Sequence, residues 1–171
     1  MYFNVPQSRQ RLIFIGVRND LGIAPSHPEA ESKPIIVRDA VVGITNNDDE
    51  RRVLLDAGRK HGAYDIWDKL LPGGNGRFGD HYRVDDKKVS RTLGKFSANL
   101  GIRGTMHWAE KRRMTSPEYK RLSAFPDGFL FGNWNQTVTQ IGNSVPPLMM
   151  RSIARHVRTE MLDTPVLQPA A

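Results

Sequence analysis

The chain of 171 residues contains no cysteine. Disulfides, cysteine-based zinc sites and a thiol nucleophile from within these residues are therefore excluded. Long apolar runs are also absent, and no stretch approaches the roughly 20 residues that span a membrane. The N-terminus, with Pro6 and two early arginines, lacks the apolar core of a signal peptide. We expect a soluble, cytoplasmic chain forming one domain or parts of two, long enough to bury a core.

Charge of one sign is in excess, with a formal net charge of +7. Residues 86–121 contain ten Lys and Arg but only three Asp and Glu, so this segment accounts for the whole excess. Concentrated positive charge attracts polyanions by Coulomb attraction and counterion release, which favours a nucleic-acid partner. A solvated basic loop has the same composition, and charge alone does not separate the two. The five histidines show no metal-ligand spacing, so we expect no metal.

Hydrophobic periodicity predicts the elements of the first half of the chain. Residues 11–18 form an apolar run rich in β-formers, which predicts a buried strand. An exposed linker is expected from there to about Lys33. Short helices are predicted over residues 35–42, 50–61 and 63–70.

The second half is predicted to begin irregularly. Glycines punctuate residues 77–105, which favours short strands and loops. Thr115-Ser116-Pro117-Glu118 has the form of a capping box and predicts a helix to about Ala124. A further capped helix is expected to start at Ser144-Val145-Pro146.

Three short constellations carry side chains suited to anions. In the first, Gln7, Arg9 and Arg11 are spaced by two, which places them on one face of an extended chain. Two guanidinium forks and an amide can hold a phosphate or a base edge there. Two surface arginines at a strand start are the alternative. The second, residues 113–127, predicts a capped helix followed by a turn.

The third constellation runs from Gln140 to Pro147. A glycine followed by polar residues at a helix start exposes backbone N–H groups, which suits a carboxylate or a phosphate. An ordinary helix N-cap explains the same residues.

In this order the three constellations resemble the C-terminal motifs of the cytosine-5 DNA methyltransferases. Residues 6–11 resemble the Q-x-R-x-R element with its preceding proline. Residues 112–129 resemble the penultimate motif, R-x-[LM]-T-x-x-E followed by F-P-D-x-F, and residues 141–150 resemble the last, G-N-[SA]-V-P-P. The resemblance covers residues 2–157, although between the first two motifs it is only positional.

The resemblance implies an α/β fold. This would be the C-terminal fragment of a Rossmann-like, S-adenosyl-L-methionine-dependent methyltransferase domain, joined to a small, irregular target-recognition domain. Four segments follow: the end of the catalytic domain (1–44), the target-recognition or small domain (45–139), a helix returning to the catalytic domain (140–162) and a disordered tail (163–171).

The resemblance also implies roles for individual residues. Arg9 and Arg11 would line the catalytic pocket, where they act on a flipped cytosine and its phosphate. Asn143, Ser144 and Val145 would border the cofactor site. The expected DNA contacts combine the first motif with the basic segment: Gln7, Lys87, Lys88, Arg91, Thr92, Lys95, Arg103, Lys111, Arg112 and Arg113.

The family's cysteine nucleophile, in a Pro-Cys motif, precedes the Q-x-R-x-R element, which here starts at residue 7. The resemblance therefore implies the DNA-recognition half of a DNA (cytosine-5-)-methyltransferase, inactive alone. It would use S-adenosyl-L-methionine to methylate C5 of cytosine in double-stranded DNA, together with an N-terminal methyltransferase chain carrying the cysteine. We expect a bacterial or phage-like, nucleoid-associated protein. Two alternatives stay open: a stand-alone DNA-binding remnant, and a non-functional fragment of a split or prophage gene.

Overall fold

The computed structural model describes residues 2–60, 63–76, 81–95 and 104–163. Its strands are β1 (Gln7–Ser8), β2 (His81–Arg83), β3 (Ser90–Arg91) and β4 (Gly104–Met106). Its helices are α1 (Val37–Ala40), α2 (Asp48–Lys60), α3 (Ala63–Lys69), α4 (Ser116–Leu122), α5 (Trp134–Asn143) and α6 (Pro147–Val157). A short 3-10 turn, Asn19–Leu21, precedes α1, and a π-helical turn, Arg158–Leu162, follows α6.

Both strand pairs are parallel. β1 pairs with β3, with Gln7 opposite Ser90, and β2 pairs with β4, with His81 opposite Gly104. Parallel neighbours need a crossover connection, and here some 80 residues separate β1 from β3 along the chain. Helices combined with parallel strands agree with the expected α/β class.

One buried cluster forms the core of the described residues. It draws on α1, α2, α4, α5 and the segments flanking β2 and β3. Its members are Val37, Leu54, Val84, Leu93, Met114, Tyr119, Leu122, Phe125, Trp134, Val138 and Ile141. Residues from the predicted catalytic end, the predicted recognition region and the start of the last motif thus share one core.

The helices predicted from local signals are confirmed. α1, α2, α3 and α4 lie within or close to the predicted ranges. The side chain of Asn47 accepts hydrogen bonds from the amides of Asp49 and Glu50, which caps α2. At α4 the amide of Thr115 donates to the carboxylate of Glu118 over 2.8 Å, as the capping box requires.

The buried strand predicted over residues 11–18 is wrong. The structure assigns no strand there, and the side chains of Leu12 and Phe14 are 79% and 86% exposed. A strand needs a hydrogen-bonded neighbour, and no described segment pairs with this one.

Helix α5 was not anticipated, although the sequence carries its signal. Asn133 and Gln136 form a capping box at its start, with each side chain accepting from the other residue's amide. The predicted cap at Ser144 is correspondingly wrong. The Ser144 hydroxyl donates back to the Ile141 carbonyl over 2.9 Å and so ends α5. α6 starts at Pro147, a position that favours proline.

Two kinds of feature are absent from the described ranges. No helix there is both long and apolar enough to cross a membrane. No group of three or more metal-ligating side chains is found in the same residues. Of the predicted tail, Asp163 is described, while residues 164–171 lie outside the described part.

Candidate nucleic-acid interface

The pairing of β1 with β3 brings the first motif alongside the predicted recognition region. The Ser90 amide donates to the Pro6 carbonyl over 3.1 Å. Beyond the strands, the Thr92 hydroxyl donates to the Ser8 carbonyl over 2.9 Å. Two segments that both carry predicted DNA contacts are therefore held side by side.

Gln7 faces inward rather than toward a ligand. Its amide nitrogen donates to the Leu122 carbonyl and the Ser123 hydroxyl, and its oxygen accepts from the Leu93 amide over 3.2 Å. The side chain is fully buried. The prediction that Gln7 contacts DNA is replaced by a structural role, because all of these polar atoms already have partners within the protein.

The two arginines of the first motif differ in exposure. Arg9 is buried, and its guanidinium donates to the carbonyls of Leu93 and Gly142 over 3.0 and 2.7 Å. Burial lowers the pKa of Arg9, and the positive charge of Arg11 lowers it further. Arg11 is exposed, and its guanidinium donates to the neighbouring Gln10 carbonyl over 2.8 Å. Of the pair, Arg11 is the one open to an incoming phosphate.

Exposed cations of the basic segment concentrate in one short stretch. We call Lys87, Lys88, Arg91 and Lys95 the basic strip; all four are exposed, as is the neighbouring Thr92. The ammonium of Lys88 forms a surface ion pair with Asp85 over 3.2 Å, a weak interaction that another anion can displace. The β1–β3 pairing places Arg91 of the strip opposite Ser8 of the first motif.

Arg91 is held in place by residues that the sequence reasoning did not select. Its guanidinium donates to the side-chain oxygen of Asn75 and lies 5.0 Å from the ring centre of Tyr82. Burial raises the pKa of the Tyr82 hydroxyl, although the Arg91 charge opposes this. Asn75 sits in a glycine-rich run, and that composition was the available signal for a loop approaching the strip.

Lys111 stays at the surface but already has an anionic neighbour. Its ammonium contacts the carboxylate of Asp68 over 2.6 Å and lies 5.8 Å from the ring of Trp67. Because both side chains of the ion pair are about half exposed, the pair is weak.

The structure corrects the predicted DNA contact at Arg112. The side chain is 1% exposed, and its guanidinium donates to both carboxylate oxygens of Glu118 over 2.8 and 2.9 Å. Its Nε donates to Glu110 over 2.8 Å. A bidentate, buried pair of this kind ties the residue into the core and away from an incoming phosphate.

Arg113 is corrected in the same way. It is 8% exposed, and its guanidinium lies 5.7 Å from the ring centre of Trp134. Burial lowers the pKa of Arg113. Its buried position near a core tryptophan shows that this side chain is directed inward. Arg103, the remaining predicted contact, lies outside the described residues.

His107 is a further buried group in the same network. Its Nδ1 accepts hydrogen bonds from the amides of Ala109 and Glu110, both over 3.0 Å, and its Nε2 lies 3.6 Å from the Glu118 carboxylate. Burial and the charge of Arg112 lower the pKa of His107 to about 4. A neutral ring that accepts at Nδ1 fixes the turn before Arg112.

The predicted cofactor residues lie at the junction of α5 and α6. Asn143 is exposed and Val145 is half-buried. The hydroxyl of Ser144 donates a hydrogen bond to the Ile141 carbonyl. An exposed amide beside an apolar side chain suits one edge of a site for a polar cofactor with an apolar part. These three residues cannot enclose such a molecule by themselves.

Comparison with known proteins gives a consistent result. The family model for C-5 cytosine-specific DNA methylase matches residues 1–159. The type II methyltransferases M.NgoFVII of Neisseria gonorrhoeae and M.BbvI of Brevibacillus brevis are each 29% identical, over 91% and 85% of this chain. The chain spans less than half the length of these relatives, 46% and 43%.

A solved structure shares the fold. It is the crystal structure of a putative DNA modification methyltransferase encoded within an E. coli prophage. It matches with a TM-score of 0.71 at 20% identity, covering 93% of this chain and 57% of that one. At this identity the likeness concerns the fold alone.

Proposed function

Because the chain belongs to the C-5 cytosine-specific DNA methylase family, we propose that it supplies the DNA-recognition half of a DNA (cytosine-5-)-methyltransferase. Residues 45–139 would face the target and the region 140–162 would return to the catalytic domain, with 1–44 as that domain's end. The observation that carries the proposal is the β1–β3 pairing, which holds the first motif alongside the segment that carries the basic strip.

The exposure of each side chain indicates which part of the DNA it would contact. Arg11 is the member of the first motif that would contact the flipped nucleotide, because its guanidinium is exposed. The basic strip would contact the phosphates next to it, since phosphate contacts fix a protein on the duplex without reading sequence. Thr92, which is exposed beside Arg91, would approach a base edge.

The reaction of the family needs a thiol, and these 171 residues contain none. The thiol that activates a cytosine at C6 would come from outside these residues, from the N-terminal part of a methyltransferase that carries the Pro-Cys motif. S-adenosyl-L-methionine would supply the methyl group, and Asn143 and Val145 would contribute one edge of its site. Arg11 and the strip would hold and orient the DNA.

The exposed segment over residues 11–17 supports the need for such a polypeptide. Leu12 and Phe14 are largely exposed, and no described segment pairs with the backbone around them. Apolar side chains on an unpaired stretch of backbone are suited to joining the edge of another sheet. A stand-alone DNA-binding protein would leave this surface uncovered.

Reconstitution tests the proposal directly. Mixing the chain with an N-terminal cytosine-5 methyltransferase polypeptide should produce transfer of labelled methyl from S-adenosyl-L-methionine to duplex DNA. Replacing the cysteine of the added polypeptide by serine should abolish the transfer, because the thiol forms the bond to C6. If the mixture transfers no more methyl than the added polypeptide alone, the proposal is wrong.

The basic strip makes a separate prediction about salt. Replacing Lys87, Lys88, Arg91 and Lys95 by alanine, one at a time, should each reduce the slope of log affinity against log salt by about one. The slope is measured by titrating duplex DNA at several salt concentrations. Arg52→Ala, which removes an exposed cation paired with Asp49, is the matched control. Unchanged slopes in all four variants would place the phosphate contacts elsewhere.

A further inference from the structure

Three segments distant in the chain meet at the guanidinium of Arg9. One Nη donates to the carbonyl of Leu93, in the recognition region, and the other donates to the carbonyl of Gly142, at the end of α5. Asn143, the first of the proposed cofactor residues, follows directly in sequence. A single buried side chain thus joins the first motif, the recognition region and the last motif.

The electrostatic setting of Arg9 is unusual for a group that binds substrate. Its two Nη atoms are bonded to backbone carbonyls, and its buried Nε has no hydrogen-bond partner among the described residues. No carboxylate of the described ranges forms an ion pair with it. Burying a cation without a counterion costs free energy. The hydrogen bonds to the two carbonyls offset part of that cost and hold the guanidinium in place.

The backbone of Leu93 is hydrogen-bonded at both its amide and its carbonyl. Its amide donates to the Gln7 side chain, its carbonyl accepts from Arg9, and its side chain is 1% exposed in the core. The exposed Arg91 and Thr92 immediately precede it. Holding Leu93 in place therefore also holds the side chains of Arg91 and Thr92 in position.

Gly142 gives an independent view of the same junction. A Cβ at this position would lie 2.4 Å from the Lys95 nitrogen, 2.7 Å from its Cα and 2.9 Å from the Gly94 carbonyl carbon. These are backbone atoms, which cannot swing aside as a flexible side chain can. The last turn of α5 packs backbone to backbone on the recognition segment, next to the carbonyl that Arg9 holds.

We infer that Arg9 is a positioning residue that locks the segment 90–95 against the residues leading into Asn143, so that DNA recognition and the cofactor edge keep one relative placement. Arg11 remains the arginine of the first motif that contacts DNA. The inference rests on the proposed function, because it concerns how that function's two surfaces are coupled.

The first test uses the reconstituted assembly. Arg9→Lys keeps the charge, but one ammonium cannot reproduce the planar fork that reaches two carbonyls. Gly142→Ala perturbs the junction without touching Arg9. Each should reduce discrimination between target and non-target DNA by about tenfold, the scale of a lost charge-assisted hydrogen bond. The double variant should lose little more than either single variant, because both act on one contact.

Matched variants complete this test. Arg158→Lys and Gly128→Ala make the same replacements at exposed positions, where Arg158 contacts Asp163 and a Cβ at residue 128 meets nothing. Both should leave discrimination unchanged. Independent, multiplying losses in the Arg9→Lys, Gly142→Ala double variant would overturn the inference. So would an Arg9→Lys variant that methylates slowly at saturating DNA with its discrimination intact.

The second test needs no methylation and no DNA. Hydrogen exchange of the Leu93 amide, measured on the 171-residue chain, should accelerate at least tenfold in Arg9→Lys and in Gly142→Ala, with Arg11→Lys unaffected. Unchanged exchange in both would overturn the positioning role. If instead the exchange responds while no assembly methylates DNA, the coupling of the segments stands and the proposed function fails.

Discussion

Arg112→Ala should lower the free energy of unfolding by about 3–5 kcal/mol, the cost of removing one partner from a buried ion pair. The carboxylate of Glu118 is 3% exposed and receives two hydrogen bonds from Arg112. Burial raises the pKa of Glu118, but the Arg112 hydrogen bonds and charge bring it below its usual value, so the carboxylate stays ionised. Without Arg112 it would be a buried, unpaired charge. Urea unfolding followed by circular dichroism measures the loss.

Lys111→Ala is the control for this variant. The ion pair of Lys111 with Asp68 is about half exposed, and such pairs contribute roughly 0–1 kcal/mol. Lys111→Ala should therefore unfold at nearly the wild-type urea concentration. If Arg112→Ala keeps wild-type stability but binds DNA weakly, the structural role is wrong and Arg112 contacts DNA, as the sequence first suggested.

The free energy of unfolding should fall steeply as the pH drops below about 6.5. The pKa of His107 is about 4 in the folded chain, against 6.5 for an ordinary histidine. Because the folded state favours the neutral ring, the stabilisation is complete above pH 6.5 and is lost toward pH 4. The shift corresponds to roughly 3 kcal/mol. Denaturant unfolding at a series of pH values measures it.

Glu110 extends the same trend at lower pH. Burial raises its pKa, but hydrogen bonds from Arg112 and Arg51 outweigh this and bring it to about 2. Its contribution is present above about pH 4.5 and declines as the pH approaches 2. The two groups act in the same direction, so acid should unfold the chain through this network.

His107→Asn isolates the histidine. The asparagine oxygen can accept from the amides of Ala109 and Glu110 as Nδ1 does, but it does not titrate. The variant should have a nearly flat stability profile between pH 6.5 and 4.5. His27→Asn, at an exposed position, should keep the wild-type profile. A His107→Asn protein with the wild-type slope would assign the acid sensitivity to other groups.

Features encoded by neighbouring residues were predictable from the sequence. The capping box at Thr115 and Glu118 lies within one turn, and helices α1 to α3 follow from periodicity over a few residues. The family was likewise predictable, because its motifs are short and occur in a fixed order along the chain. Each of these depends on interactions that the local sequence determines.

Contacts between distant segments were not predictable. The alternating spacing predicts that Gln7, Arg9 and Arg11 share one face. Gln7 and Arg9 are nevertheless buried, and they form hydrogen bonds with residues 84 to 133 positions away in the chain. Arg112 and Arg113 look like an exposed basic run until the chain folds over them. The run at 11–18 has a strand's composition, but a strand also depends on a neighbour that its own sequence cannot specify.

The open segment around Leu12 and Phe14 also bears on how a cell can accumulate this chain. An unpaired apolar segment can pair with copies of itself, and this begins aggregation. Chains in which the segment stays uncovered would be lost to aggregates or to proteases. The amount of folded chain in a cell would then depend on how soon this segment is covered after synthesis.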